Sequence, residues 1–574
     1  MADTCTTPAA QGPFSFGLDP KTLAIAVTLL ASSPFLFVVF APVVANRVGR
    51  CLGFILRKRT EGRRTQLLSV MDEEDEKYCK ENPEPKKTSS NEEWEAVGHS
   101  HLKTGAKDWN GIIGFFHPFC NAGGGGERVL WAAIRATQDR WPRAKCVVYT
   151  GDHDVTKDAI LRRVEVCLTT FNHAIRKFVA AFLTLIQSRF NIHLHPPTVQ
   201  FLYLSKRHWV LASSWPHFTL LGQSVGSMIL AWDAFSLLVP DIFIDTMGYA
   251  FALGLCKFLF RNVPTGAYVH YPTISTDMLD SLDPTSVVGS QGVNAGQGQG
   301  TRGFAKKTYW RLFAMIYSWV GSSIDVVMTN STWTQGHVKS LWGPHRVQKD
   351  RNNPIAVVYP PVAVRELEQE VEVSEASEKN REQVLVYIAQ FRPEKNHQLV
   401  LQSFAKFLKT RSKAAEKARL VLIGSVRDDQ DSKKVYQLRL LVNELGIKDQ
   451  IVFHLDASWP EILEWLRKAS VGVNGMWNEH FGIGVVEYQA AGLISVVHNS
   501  GGPKLDIVIE VDGEPTGYHA TNEEEFAEGF EKALSQSNPL VMRRRARKSA
   551  IRFTEEEFAK KWVDETSRLV AMRK

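Results

Sequence analysis

The stretch Asn474–Pro503, NGMWNEHFGIGVVEYQAAGLISVVHNSGGP, decides how the chain is read. It follows a short apolar strand, Val471–Val473, and reaches a glycine-spaced turn, Gly482-Ile483-Gly484. A helical run, Val485–Ala491, comes next and stops at Gly492, where glycine can take the left-handed conformation that ends helices. A second apolar run, Ile494–Val497, leads into a Gly-Gly-Pro turn. Strand, turn, helix, strand is a βαβ unit. Its turn aims free backbone N–H groups at whatever lies over the helix N-terminus, and the helix dipole there also favours an anion such as phosphate.

Two carboxylates bracket that turn, Glu479 before it and Glu487 on the helix, spaced E-x7-E. Carboxylates repel a phosphate, so their useful work is to accept hydrogen bonds from hydroxyls. The implied ligand carries both an anion and several OH groups. A nucleotide sugar has that make-up.

Working outward, 574 residues are too many for one core and imply about two to four domains. The net charge of +7 is unevenly spread, and no nucleic-acid partner is expected from it. Seven cysteines, an odd number with no C-x-x-C pair, argue against a disulfide framework or zinc site and for a reducing compartment.

Thr22–Ala45 is an uncharged apolar run of 24 residues, long enough to cross a bilayer. Only Lys21 precedes it, whereas Arg47, Arg50, Arg57, Lys58, Arg59, Arg63 and Arg64 follow. That asymmetry predicts a single N-terminal anchor over residues 1–60, with the bulk of the chain in the cytosol. A cleaved signal peptide should have a shorter apolar region preceded by positive charge. Residues 61–107 are charged and poor in aliphatics, which predicts a flexible tether.

A first α/β domain is expected over 108–360. It opens with the strand Ile112–Phe116, the loop HPFCNAGGGG and a helix from Glu127, again a phosphate-facing arrangement, in which Gly125 and Gly126 allow close approach. Asp152-His153-Asp154 carries the Asp-x-Asp pattern of some metal sites, but such tripeptides are common in loops, and no metal is expected. Residues 218–260 are apolar, yet Asp233, Pro240, Asp241, Asp245 and Lys257 interrupt them, so Asp241–Asp245 reads as a central strand between two helices. His270 follows the strand Gly266–Val269, at the edge where α/β enzymes place chemistry. Residues 281–304 are a Gly/Gln/Ser-rich loop.

A second α/β domain is expected over 361–540, followed by C-terminal helices over 541–574 that pack back across the domains. Its first strand, Val384–Ile388, runs into AQFRPEKNH, where Arg392 and Lys395 are placed to clamp a diphosphate. Two doubly wound domains that each offer a phosphate-facing loop make the cleft between them the default site.

The motifs E-x7-E with FGIG, GGGGERVLW, PDIFIDTMGYAF, YVHYPTIS, FRPEKNH and SGGPKLDIV together resemble glycosyltransferase family 4, retaining enzymes of the GT-B fold. Within it they are similar to the eukaryotic GDP-mannose-dependent α-1,2-mannosyltransferases of dolichol-linked oligosaccharide assembly. The likeness spans roughly residues 110–570. It implies two facing Rossmann-like domains behind an N-terminal transmembrane helix, in the endoplasmic reticulum membrane with the catalytic domains cytosolic. It also implies addition of two α-1,2-linked mannoses in succession to a trimannosyl-chitobiose diphosphodolichol acceptor, with GDP-mannose as donor and no cofactor or metal. Other mannosyltransferases of the same route are candidate partners.

Carried over position by position, the resemblance puts Glu479 at the mannose hydroxyls and the anomeric centre, and Glu487 at the GDP ribose. Gly125, Gly126, Gly482, Ile483 and Gly484 meet diphosphate or sugar, and His270 lies near the donor sugar. Relatives place the phosphate arginine five residues before the lysine, where this chain has Gln390; Lys395 is thus the firmer match and Arg392 the looser. The implied chemistry is same-face displacement, the leaving phosphate taking the acceptor's proton. A retaining glycosidase shares the two carboxylates but needs no diphosphate cradle. A transferase using UDP-N-acetylglucosamine, a non-catalytic scaffold of sister transferases and an anchored dinucleotide oxidoreductase are the other readings.

Overall fold

The computed structural model describes residues 20–82, 109–121, 124–164, 192–283, 299–349 and 353–573, with backbone alone for 20–41 and 162–164. Runs of buried, largely β-branched residues form two parallel sheets. The first holds β1 (Ile112–Phe116), β2 (Lys145–Thr150), β3 (Val199–Tyr203), β4 (Ile242–Asp245), β5 (Thr265–Val269), β6 (Val326–Thr329) and β7 (Ala356–Val357), in the order β3-β2-β1-β4-β5-β6-β7. The second holds β8 (Val384–Ile388), β9 (Arg419–Gly424), β10 (Ile451–Leu455), β11 (Val471–Asn474) and β12 (Ile494–His498). After a hairpin of β13 (Glu510–Val511) and β14 (Glu514–Pro515), β15 (Gly517–Ala520) completes it, in the order β10-β9-β8-β11-β12-β15.

Alternate residues of the first sheet feed opposite layers. Phe116, Val147, Phe243 and Val269 pack under the helices Thr219–Leu237, Ala250–Leu259 and Gly300–Gly321. Phe115, Val148, Ile244 and Tyr268 pack under the helices Gly125–Arg140 and Glu555–Ala571. The last helix thus lies on the first domain, although it follows the second in sequence. Trp562 stacks on Phe115 and donates from Nε1 to Thr137 Oγ1 at 3.1 Å.

The tether expected over 61–107 needs correction: Pro20–Glu81 is one helix, and only from residue 83 does the segment leave the described residues. Its charges hold it down in place of a core of its own. Arg64 meets Asp241 at 2.5 Å, Asp72 meets Lys145 at 2.7 Å, and Asp75 meets His195 at 2.6 Å. Asp241 also takes the Ile112 N–H at 2.8 Å and Arg573 at 2.7 Å, so one carboxylate joins the first helix, the first strand and the chain's end. Burial pushes that carboxyl up, but these donors outweigh it and hold it below its usual range.

Among the described residues no helix is long and apolar enough to cross a membrane. The side chains of 20–41, most of the apolar run Thr22–Ala45, lie outside the described residues. The loop expected over 281–304 gives up its end to the helix that starts at Gly300, while 284–298 lie outside the described residues.

Candidate active site

Strand order reverses at β1/β4 in the first sheet and at β8/β11 in the second. At such points neighbouring loops diverge and open a crevice over the carboxyl ends of the strands. The glycine loop follows β1, the Lys395 loop follows β8, and the Glu479 loop follows β11. The two crevices face each other as one cavity of about 410 Å³. Gly125, Gly126, His270, Lys395, Glu479, Gly482, Ile483 and Gly484 all line it. The two glycine turns touch: a Cβ on Gly125 would stand 2.6 Å from Ile483 Cδ1.

Gly482 has φ +105°, which favours glycine, and this turn lets the helix Ile483–Ala490 start with its N-terminus at the cavity. The opposite helix, Gly125–Arg140, also starts there. Glu127 fixes that start, its Oε2 accepting the Gly124 N–H at 2.5 Å while its other oxygen stands 3.9 Å from His117 Nε2. Burial would raise the Glu127 carboxyl, but His117 and the backbone donors hold it below its usual range.

Glu479 is the charged centre of the cavity. Its Oε2 lies 2.6 Å from Lys395 Nζ and accepts weakly from Asn474 Nδ2 at 3.4 Å. Burial acts to raise its pKa, yet the Lys395 ammonium wins and keeps the carboxylate ionised. Its backbone is pinned too, the Gly502 N–H donating to Glu479 O at 2.8 Å. His270 is half-buried, and its Nε2, itself shut off from solvent, has no partner among the described residues. Burial above all pushes its pKa down to about 4, so the ring is neutral at physiological pH and the Nε2 edge is free to accept from a hydroxyl.

Two expected residues stand apart. Arg392 precedes the short turn Pro393–Lys395 and is not among the cavity's lining residues. Glu487 sits on the second turn of its helix and is not among the lining residues, and burial raises its pKa to about 7 against the pull of Arg128. Asp152 pairs with Arg207 and accepts from Asn121 N, outside the cavity lining.

Sequence reasoning gave no role to Asn474, His480 and Tyr488, all of which line the cavity. Asn474 was detectable as a polar residue ending an apolar strand. His480 follows Glu479 directly. Tyr488 looks like packing in sequence, but its hydroxyl accepts the Ile388 N–H at 2.7 Å and ties the helix to the end of β8.

Residues 110–342 match the family model described as ALG11 mannosyltransferase N-terminus, and residues 368–553 match Glycosyl transferases group 1. A Neurospora crassa protein named "GDP-Man:Man(3)GlcNAc(2)-PP-Dol alpha-1,2-mannosyltransferase" is 67% identical, over 96% of this chain and 97% of its own. A Homo sapiens protein of the same name is 44% identical, over 80% of this chain and 87% of its own. Among solved structures, a Candida albicans trehalose-6-phosphate phosphatase N-terminal domain superposes with a TM-score of 0.55 at 11% identity, covering 82% of this chain and 99% of that one. An alpha,alpha-trehalose 6-phosphate synthase from Burkholderia multivorans gives 0.53 at 13% identity, covering 81% and 99%. At such identities the structural likeness speaks for the fold alone, and the two facing parallel sheets are the GT-B architecture.

Proposed function

Because the chain belongs to the ALG11 family of GDP-mannose-dependent α-1,2-mannosyltransferases, we propose the following account of what its cleft does. The protein transfers mannose from GDP-mannose to a dolichol-diphosphate-linked trimannosyl-chitobiose in N-glycan precursor assembly, and two such additions follow one another.

The observation that carries the reading is the meeting, in one cavity, of Lys395, two glycine turns at helix N-termini, and an ionised Glu479. The diphosphate lies against Lys395 and the backbone N–H groups near Gly126, Ile483 and Gly484, and Arg392 swings in from the rim. Glu479 receives mannose hydroxyls and faces the anomeric carbon. Neutral His270 accepts at Nε2 from a sugar hydroxyl, and Glu487 receives the ribose. The bond from the anomeric carbon to the β-phosphate oxygen breaks as the acceptor oxygen bonds to the same face. The acceptor's proton passes to the departing phosphate, whose charge Lys395 and the helix N-termini stabilise. These residues supply the positive charge themselves, and the reaction proceeds without a metal.

The enzyme sits at the endoplasmic reticulum membrane with its domains on the cytosolic side, held by the apolar run Thr22–Ala45. Exposed apolar side chains, Phe54 and Ile55 on the first helix and Met315 and Trp319 on Gly300–Gly321, support contact with lipid on the first domain. Sister mannosyltransferases of the route are its expected neighbours.

Incubation with GDP-mannose and a phytanyl-linked trimannosyl-chitobiose diphosphate, followed by product mass, tests this. A gain of two hexoses, removable by an α-1,2-specific mannosidase, is expected. Transfer only from another nucleotide sugar would refute the donor assignment.

A further inference from the structure

Glu479 belongs to the second domain, yet the residues on both sides of it are held by the first. Asn478 Nδ2 donates to Asp277 Oδ2 at 2.6 Å. The His480 ring stacks on Tyr271 with centroids 4.0 Å apart and planes 18° apart. Trp333 lies near-parallel to both rings, 5.4 Å from His480 and 5.9 Å from Tyr271. His337 backs this group, its ring edge-on to Trp333 at 4.2 Å and its Nε2 3.4 Å from Asp277 Oδ2. Asn478 takes φ +53°, in the left-handed region that asparagine enters more readily than most residues, and hydrogen bonds from both domains enforce it here. Its N–H goes to Ser500 Oγ at 2.7 Å, so the second domain supplies one side of that enforcement and Asp277 the other.

We infer that Tyr271, Trp333 and Asp277 are positioning residues for Glu479: by gripping its two neighbours across the cleft, they couple domain closure to the alignment of the carboxylate. The inference rests on Glu479 acting at the donor sugar and goes beyond it. When the domains part, the Asn478–Asp277 bond and the ring stack break together, and the loop loses the contacts that aim Glu479. The carboxylate keeps Lys395, which lies in its own domain, so its charge survives opening while productive alignment does not. Displacement of a reacting group by about 1 Å costs on the order of a hundredfold in rate. Alignment that depends on closure therefore restricts turnover of GDP-mannose to the closed state and protects the donor from water in the open one.

The test uses the full-length enzyme in detergent or nanodiscs, with Tyr271→Leu, Tyr271→Phe, Asp277→Ala and Glu479→Ala, and reads kcat, GDP affinity and thermal stability. Tyr271→Leu and Asp277→Ala should lower kcat by roughly tenfold to a hundredfold. GDP affinity should stay within about twofold, because the stack is not part of the diphosphate cradle. Tyr271→Phe keeps the ring and should retain most of the wild-type kcat. Glu479→Ala should be inactive. Unchanged kcat in Tyr271→Leu would overturn the coupling, as would equal damage in Tyr271→Phe, or a parallel fall in GDP affinity and melting temperature. Full turnover in Glu479→Ala would overturn the underlying role of that residue, a failure separable from the first by this variant alone.

Discussion

Lys395 Nζ and Glu479 Oε2 stand 2.6 Å apart, although they arrive on loops after different strands, β8 and β11. The pairing explains how a largely enclosed carboxylate stays ionised beside a site for a diphosphate. The same ammonium reaches the phosphate and holds the charge of the residue that meets the sugar.

Replacing Lys395 with methionine should therefore do two things. Turnover should fall by about a hundredfold to a thousandfold, as for loss of a charge-stabilising donor. The acid limb of the pH–rate profile should also move to higher pH, since burial of Glu479 is then opposed only by His480 and Asn474. In the wild type Glu479 ionises below its ordinary value of 4.5. The stability this lends is fully present above that value and is lost as pH falls through the lower folded value. Activity against pH for both proteins checks the shift.

Glu487 behaves in the opposite sense. Burial raises its pKa to about 7, so its stabilising contribution is present below the ordinary value of 4.5 and is lost as pH rises through about 7. Glu487→Gln should melt at a higher temperature than wild type at pH 8, with a gain of roughly 1–3 kcal/mol, and at a similar temperature near pH 4. The same variant should raise KM for GDP-mannose if the carboxylate meets the ribose. Calorimetry at the two pH values and donor titration read the two effects separately.

Arg543 offers a test of the scaffold. It is 2% exposed, ion-paired with Glu378 at 2.9 Å, and donates to Ser470 O at 2.8 Å and Gly492 O at 2.9 Å. Those carbonyls precede β11 and β12, the strands on either side of the Glu479 loop and its helix. Arg543→Ala leaves the half-buried Glu378 and the Gly492 carbonyl unmet, with Ser470 O keeping only the Ile494 N–H, and should cost about 3–5 kcal/mol, read by denaturant unfolding of the second domain. Arg544→Ala, one residue on and exposed, should change stability by less than about 0.5 kcal/mol.

How far the molecule was legible in its sequence depends on how local each feature is. The βαβ unit around Glu479 was readable because strand, glycine turn and helix are adjacent, and Gly492 does end that helix with φ +76°. The pairing of Gly125 with Ile483 was an inference from two similar loops, and the sheet orders supply the geometry that brings them together. His480 escaped notice because its partners, Tyr271 and Trp333, are about two hundred and about one hundred and fifty residues away in sequence. Residues 61–81 were misread for a related reason. A charged, aliphatic-poor stretch looks unable to fold alone, and Asp241, Lys145 and His195, which anchor it, lie far along the chain.

That anchoring changes where the chain can be cut. A Cβ on Gly53 would stand 2.0 Å from Leu259 O, and Leu56 and Thr60 are buried, so the first helix is part of the domain from about residue 49 onward. Deleting residues 1–44 should weaken membrane attachment yet leave transfer to a soluble acceptor analogue. Deleting 1–68 also removes Arg64 from Asp241 and should cost stability by about 3–5 kcal/mol. Flotation, activity and melting temperature of the two truncations distinguish the roles. Equal stability of both would show that the helix adds nothing to the domain.

The central claim is that the leaving diphosphate is gripped between the facing glycine turns while Glu479 holds the sugar. A structure of the Glu479→Gln protein with GDP-mannose tests it most directly. The account predicts phosphate oxygens within hydrogen-bond reach of Lys395 Nζ and of backbone N–H groups at both Gly126 and Gly484, with mannose hydroxyls at residue 479. Diphosphate bound to one domain alone, or with its sugar turned away from residue 479, would contradict it.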